Sequence, residues 1–187
     1  ARSAVGVISP RALFSRSVVV DSLTASQVTL DVKPGDGVNT PPASLALPWS
    51  IAVQRASVER LDVASGSNRW HFARLAFRYA GGDKRHALDE LGFHSEWGDL
   101  SGNIALDAGA PFAASGSLSF LASDALKRAK AALAIGGDLS TLILSGDVSV
   151  EGARAIGSAR LSPFDERWLR AFEVSASEVD LALFDSK

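Results

Sequence analysis

Cysteine and methionine are both absent from this sequence of 187 residues. Without cysteine, the chain can form no disulfide bond and no thiolate zinc site, and it has no cysteine nucleophile. Without methionine, it lacks a start residue of its own. We therefore expect an excised fragment or a processed product of a longer protein.

A charge bias and long apolar runs are missing as well. Lys and Arg total 19 against 21 Asp and Glu, so the net charge is −2. We expect no nucleic-acid partner, because a balanced charge gives no electrostatic footprint for one, and no polybasic anchor for anionic lipid. No run approaches the ~18 apolar residues of a membrane-spanning helix, and no signal peptide is visible. An anchor would have to lie outside these residues.

Apolar residues instead alternate with polar ones. The clearest example, Trp97 to Phe120, predicts two strands around a Gly-Ala-Pro turn: the alternation runs from Leu100 to Ala108 and resumes from Phe112 to Phe120. Side chains of a strand point to opposite faces with period two, so each strand has one apolar and one polar face. Similar alternation elsewhere predicts ten to twelve strands with short turns, an all-β antiparallel meander with little helix.

The alternation also predicts on which face of the sheet several aromatic side chains lie. On one strand, Trp70 and Phe72 are predicted to lie opposite the face that carries Ala73, Leu75, Phe77 and Tyr79. On the returning strand, Leu91, Phe93 and Trp97 are predicted to share a face.

The connections give weaker signals. Residues 33–46, with three prolines and two glycines, predict a loop, and Gly81-Gly82-Asp83 predicts a hairpin turn. A slip in phase near Glu59 predicts a bulge or a tight turn. Ser123 to Ala134 combines helix formers with alternation into Gly136, and we favour a strand over part of it. Asp165 to Phe172 suggests a single helical turn.

No constellation of residues predicts catalysis. His86 and His94 have the same parity, but eight residues along a strand span about 26 Å, too far for one ion. We expect these histidines to be solvated on the polar face, with no metal site. The sequence has no Walker loop, no G-x-S-x-G elbow and no dinucleotide motif, and no carboxylate pair stands out. We expect no catalytic residue, no cofactor and no enzyme activity.

Small residues recur at positions assigned to the apolar face. They are Gly102, Ala108, Ala114, Gly116, Ala131, Gly146, Ala155, Gly157 and Ala159. A sandwich core is usually filled with bulky side chains, whereas small residues inside a strongly curved sheet relieve crowding and leave space. Ordinary core packing is the alternative interpretation, and the sequence alone does not separate the two.

Several segments resemble TamB and related AsmA-like envelope proteins. They are LPWSIAVQRASVERLDV (Leu47 to Val63), RLAFRYAGG (Arg74 to Gly82) leading into WGDLSGNIALDAGAPF (Trp97 to Phe112), and LSPFDERWLRAFEVSASEVDLALF (Leu161 to Phe184). Together they cover most of the chain, and the match rests on their order. The resemblance implies that residues 1–187 form a single segment of a U-shaped, taco-like β-sheet, open along one side, with a hydrophobic concave face.

The resemblance also implies a setting. Members of this family are Gram-negative periplasmic proteins, anchored in the inner membrane by an N-terminal helix and implicated in carrying phospholipid toward the outer membrane. TamB-like proteins act with TamA, an outer-membrane barrel protein, in assembling certain outer-membrane proteins. We expect the anchor helix and the C-terminal domain that engages this partner to lie outside the chain, which then forms one segment of a longer bridge.

Pattern and resemblance together predict an apolar trough for phospholipid acyl chains. A trough keeps the chains out of water, which is worth roughly 0.8 kcal/mol per methylene. The predicted lining residues are Leu75, Phe77, Phe93, Leu100, Ile104, Leu106, Phe112, Leu118, Phe120, Leu133, Ile135, Leu142, Leu144, Val148 and Val150.

Two other functions are compatible with the sequence. The first is a chaperone or scaffold whose sheet edges pair with client strands by β-augmentation. The second is a carbohydrate-binding β-sandwich whose tryptophans stack on sugar rings; the candidates are Trp49, Trp70, Trp97 and Trp168.

Overall fold

The computed structural model describes residues 16–32, 40–124, 129–151, 153–165 and 167–177. They form a single open, curved sheet of eleven strands. The strands are β1 (Ser17–Val20), β2 (Leu23–Val32), β3 (Ser50–Ser65), β4 (Asn68–Gly81), β5 (Arg85–Ser95), β6 (Gly98–Asp107), β7 (Ala114–Ala122), β8 (Lys130–Gly137), β9 (Leu142–Val150), β10 (Ala153–Leu161) and β11 (Leu169–Ser177).

From β3 to β11 each strand pairs antiparallel with the next one in the chain. Short turns make this order easy to form, since antiparallel neighbours need only a few linking residues. The predicted meander is therefore confirmed over these nine strands. The N-terminal edge differs, because β1 and β2 both pair in parallel with β3, one beside each half of it.

No second sheet covers the apolar side chains of the described residues. The strand pairs in substantial contact are hydrogen-bonded neighbours. Among the residues that the structure describes, no large side chain is fully buried, and the buried apolar residues are Ala56, Ala108, Phe112 and Ala122. A β-sandwich would bury large side chains between two inner faces. The sandwich alternative is thus wrong, and the open all-β sheet is confirmed.

Local backbone irregularities interrupt the alternation in β4 and β5. Arg74 (φ 55°) and Glu90 (φ 52°) both adopt left-handed conformations inside strands. Glu59 of β3 and Arg74 of β4 are not paired, although the residues on either side of them are. The pairing of β5 with β6 shifts by one residue between Leu88 and Leu91. Such bulges place an extra residue in a strand and reverse its face assignment beyond that point. The predicted irregularity near Glu59 is therefore observed.

The bulge at Arg74 overturns the predicted faces of β4. Phe72 pairs with Ser95, and its ring meets the Phe93 ring edge-on at 5.1 Å, so Phe72 lies on the same side as Phe93. Trp70 follows Phe72 with the same parity, whereas Ala73 pairs with His94 on the polar side. The prediction that Trp70 and Phe72 lie opposite the apolar face was wrong, because it assumed strict alternation without a bulge at Arg74.

Two ambiguous segments are strands where the structure describes them. Lys130–Gly137 is β8, which confirms the strand interpretation there; residues 125–128 lie outside the described part. The helical turn predicted for Asp165 to Phe172 is wrong from Leu169 onward, because Leu169 begins β11; residue 166 lies outside the described part. Trp97 lies in the turn between β5 and β6 rather than beside Phe93 on the strand face. Within the described ranges, no helix has the length and apolar character needed to cross a membrane.

Candidate functional site

Three rows of directly paired residues cross the sheet from β5 to β11 on one side. The first row is Phe93, Leu100, Phe120, Ala131, Val148, Ala155 and Ala176. The second is Leu91, Gly102, Leu118, Leu133, Gly146, Gly157 and Val174. The third is Leu88, Ile104, Gly116, Ile135, Leu144, Ala159 and Phe172. Directly paired residues point to the same side of a sheet, so these rows form one continuous surface, the apolar face.

Fourteen of the fifteen predicted lining residues lie on the apolar face or directly continue it. Nine belong to the three rows: Phe93, Leu100, Ile104, Leu118, Phe120, Leu133, Ile135, Leu144 and Val148. Val150 lies beyond the end of the first row, where it pairs with Ala153. The others follow the same alternation at the strand ends or on β4: Leu106, Leu142, Leu75 and Phe77. The structure thus brings these side chains together on one surface.

Phe112 is the exception. It lies in the turn before β7, has φ of 61° and is only 4% exposed. Its N–H donates to the Gly109 carbonyl at 2.8 Å, and Asp107 N–H donates to the Ala113 carbonyl across the same turn. The strand alternation therefore restarts at Ala114, two residues later than predicted.

The apolar face contains a concavity of about 420 Å³ between β6 and β11. Its walls include Leu100, Phe120, Leu144 and Phe172, and its floor includes Gly146. The volume falls in the range of roughly 300–1,000 Å³ that is usual for small-molecule sites. Half-buried apolar side chains around an open concavity can receive an apolar ligand without first displacing a packed core.

Small residues explain why the concavity lies in this half of the sheet. Ala131, Gly146, Ala155, Gly157 and Ala159 line it, all from the set that the sequence placed on the apolar face. In the other half, the corresponding positions on β4 and β5 carry aromatic and leucine side chains. Five of the nine small residues thus line the concavity, whereas Ala108 of the same set is fully buried.

Sequence reasoning missed part of this surface. Phe172 and Val174 end the third and second rows on β11 and are 67% and 54% exposed. They were overlooked because the segment from Asp165 to Phe172 suggested a helical turn. The alternation of Phe172 and Val174 with charged and small neighbours was the signal that could have identified them.

The opposite side of the sheet, the polar face, carries serines and charged side chains. A broader depression of about 830 Å³ lies there, lined in part by Ser117, Ser145, Arg154 and Glu173. Arg154 and Asp147 form an ion pair at 3.6 Å. The two faces therefore differ in polarity, although Leu121, Ile143 and Ile156 are exposed on the polar face.

Four side chains on β2, β3 and β4 form a hydrogen-bonded group on the polar face, centred on Asp62. The His71 ring nitrogen Nδ1 lies 2.5 Å from an Asp62 carboxylate oxygen, and Arg60 Nε donates to the same carboxylate at 2.9 Å. Gln27 also donates to it at 2.7 Å. The hydrogen bond with His71, followed by that from Arg60, lowers the pKa of Asp62 from 3.8 to about 2.

We expect Asp62 to titrate near pH 2 in the folded protein, as measured by carboxyl-carbon NMR shifts. A depressed carboxyl pKa stabilises the fold above pH 3.8, and this stabilisation is lost as the pH falls through about 2. His71→Ala removes the largest cause and should raise the pKa toward 3.8. Gln27→Ala removes a smaller one and should raise it less. Titration of the unaltered protein at pH 3.8 would contradict this assignment.

The described residues hold no group of three or more His, Asp and Glu side chains placed to bind a metal ion. His94 bonds to Asp99 at 2.9 Å on the polar face, as predicted for a solvated histidine. His86 is different: it pairs with Leu106 on the apolar side and is half-buried. Its predicted place on the polar face was wrong, because the bulge at Glu90 puts His86 and His94 on opposite sides.

The tryptophans form no common sugar-stacking platform. Trp49 precedes β3, Trp97 lies between β5 and β6, and Trp168 precedes β11, whereas Trp70 lies within β4. Three of them therefore occupy three different connections, and the fourth lies within a strand. The arrangement therefore gives no support to carbohydrate binding.

Comparison with known proteins finds no matching family model, no matching curated sequence and no matching solved structure.

Proposed function

We propose that the apolar face binds the hydrocarbon chains of lipids. The observation that carries this proposal is a continuous apolar surface across seven strands of a single sheet, which no second layer of the described residues covers. Monomeric soluble proteins rarely expose large contiguous apolar surfaces unless these bind something. A surface that is apolar from one strand to the next suits a long, featureless apolar ligand.

The dimensions of the apolar face support an extended acyl chain. Six strand spacings from β5 to β11 give rows about 29 Å long, at about 4.8 Å per spacing. One acyl chain spans about 15 Å, half of a bilayer core of roughly 30 Å. A chain can therefore lie along a row, and each buried methylene contributes roughly 0.8 kcal/mol. Because the rows have no polar group to fix a register, a bound chain can slide along them.

The wider setting is part of the same proposal. The segments that resemble TamB and AsmA-like proteins support a periplasmic phospholipid carrier between the inner and outer membranes, with TamA engaged through other parts of the full-length protein. An open sheet with an apolar side suits this setting, because lipid can enter at any point along it while the head group stays in water.

Site-specific photo-crosslinking tests the proposal with matched neighbours on one strand. A photoreactive residue at Leu118 should capture phospholipid when the protein is purified from bacterial membranes, because Leu118 lies on the apolar face. The same residue at Ser119, which points to the polar face, is the control. Mass spectrometry identifies the adducts. Equal lipid capture at both positions, or none at Leu118, would refute hydrocarbon binding by this face.

A second candidate function is supported by the edge strand β11. All nine of its residues are exposed, and among the described strands it pairs only with β10. A long exposed apolar edge is a template for another strand. This favours β-augmentation by an extended client segment. A photoreactive residue at Ala171 should then capture protein rather than lipid, a result that would separate the two functions.

A further inference from the structure

The segment Ser44–Leu47, here called the strap, lies beside the ends of β4–β6. Leu45 N–H donates to the Ala108 carbonyl at 2.9 Å, and Leu47 N–H donates to the Gly82 carbonyl at 3.0 Å. Both leucines are half-buried, whereas the residues around them are exposed. The strap thus joins two turns of the sheet through isolated hydrogen bonds instead of through a ladder.

His86 ties the strap to the apolar side of the sheet. It pairs with Leu106, so its ring projects from that side, and Nε2 donates to the Leu45 carbonyl at 2.8 Å. Nδ1 lies 2.8 Å from the Tyr79 hydroxyl, and the two rings stack at 6.2 Å. This contact needs Gly81, because a Cβ there would lie 2.1 Å from the Tyr79 hydroxyl oxygen.

We propose that the strap is a latch, held by Tyr79 and His86, which closes the apolar side at the ends of β4–β6 and can open without unfolding the sheet. Segments with few apolar contacts and isolated hydrogen bonds open at lower free energy than paired strands. The strands below the strap keep their own ladders when it leaves. The latch controls access to the apolar side of the sheet. Only its effect on lipid binding rests on the proposed function.

Cysteine labelling tests the latch directly, because the chain has no cysteine of its own. Leu106→Cys places a thiol beside His86, next to the strap, and Leu144→Cys places one in the open concavity. A water-soluble maleimide should label Leu106→Cys slowly. Adding His86→Ala should accelerate this labelling about tenfold, the effect of losing roughly one net hydrogen bond. Labelling of Leu144→Cys should not change.

Equal labelling of Leu106→Cys with and without His86→Ala would overturn the latch. Tyr79→Phe removes one of the two hydrogen bonds of His86 and should accelerate labelling less, in the same direction. If circular dichroism shows that the variants have lost the sheet, hydrogen exchange on the unmodified protein tests the latch instead. The Leu45 and Leu47 amides should exchange faster than the ladder amides of β4–β6, and exchange no faster than the ladder would also overturn it. No lipid enters either measurement, so the latch and the proposed function can fail separately.

Discussion

Leu133→Asp is expected to reduce binding of a fluorescent fatty acid by about 100-fold or more while the sheet stays folded. Leu133 lies in the second row, the middle one of the three, between Leu118 and Gly146, so a chain on the apolar face passes over it or directly beside it. A carboxylate there removes contacts worth roughly 0.8 kcal/mol per methylene. It must also lose water when a chain covers it, which costs several kcal/mol for a charge without a partner. Without the ligand the aspartate stays hydrated, because Leu133 is only partly buried.

Ala134→Asp is the matched control, since it places the same carboxylate one residue further along β8. Ala134 pairs with Ser117 and Ser145 on the polar face and is exposed. Its fluorescence titration should match that of the unaltered protein. Circular dichroism of both variants verifies the fold. If the two variants bind the fatty acid equally well, the apolar face is not the binding surface.

The alternation of side chains was sufficient to predict the sheet and most of the apolar face. The pairing of β6 through β10 with one another contains no bulge. In these strands, alternate residues of the sequence therefore lie on alternate faces of the sheet. Every predicted lining residue in these strands therefore lies on the expected side. Ala131 and Gly146, which the alternation also placed on this face, line the concavity.

Face assignments failed where a single residue adopted a left-handed backbone conformation. Arg74 and Glu90 are neither glycine nor asparagine, so nothing in their side chains predicted a positive φ. Each conformation shifts the phase, which moved Phe72 and His86 to the apolar side. The slip at Glu59 was detectable because apolar residues flank it on both sides, with Val58 before it and Leu61 after it.

The alternation of side chains could not predict contacts between segments that are distant in the sequence. β1 and β2 pair in parallel with β3, which follows them in the chain, and no local sequence pattern distinguishes this arrangement from an antiparallel hairpin. The bond from His86 to the Leu45 carbonyl joins residues 41 positions apart. Such contacts depend on tertiary geometry and become visible only in the folded chain.

Gly146→Ala is expected to lower the free energy of unfolding by about 2–3 kcal/mol, the upper range for overpacked positions. A Cβ at Gly146 would lie 2.1 Å from the Ala132 carbonyl oxygen and 3.1 Å from the Leu133 Cα. Both are backbone atoms of β8, so no side-chain rotation relieves the clash and β8 and β9 must separate locally. Urea denaturation measures the loss as a lower midpoint at unchanged slope.

Gly136→Ala is the control, because a Cβ at Gly136 meets no atom within 4 Å and its φ is not positive. It should leave stability unchanged or raise it by roughly 0.5 kcal/mol, through the reduced freedom of the unfolded chain. The two variants also test the architecture. In a single sheet each strand is supported only by its neighbours, as in a repeat protein. Separation at β8–β9 should therefore accelerate hydrogen exchange in β9–β11 and leave β3–β6 protected. Uniform acceleration across all strands would indicate one shared core, which is incompatible with an open sheet.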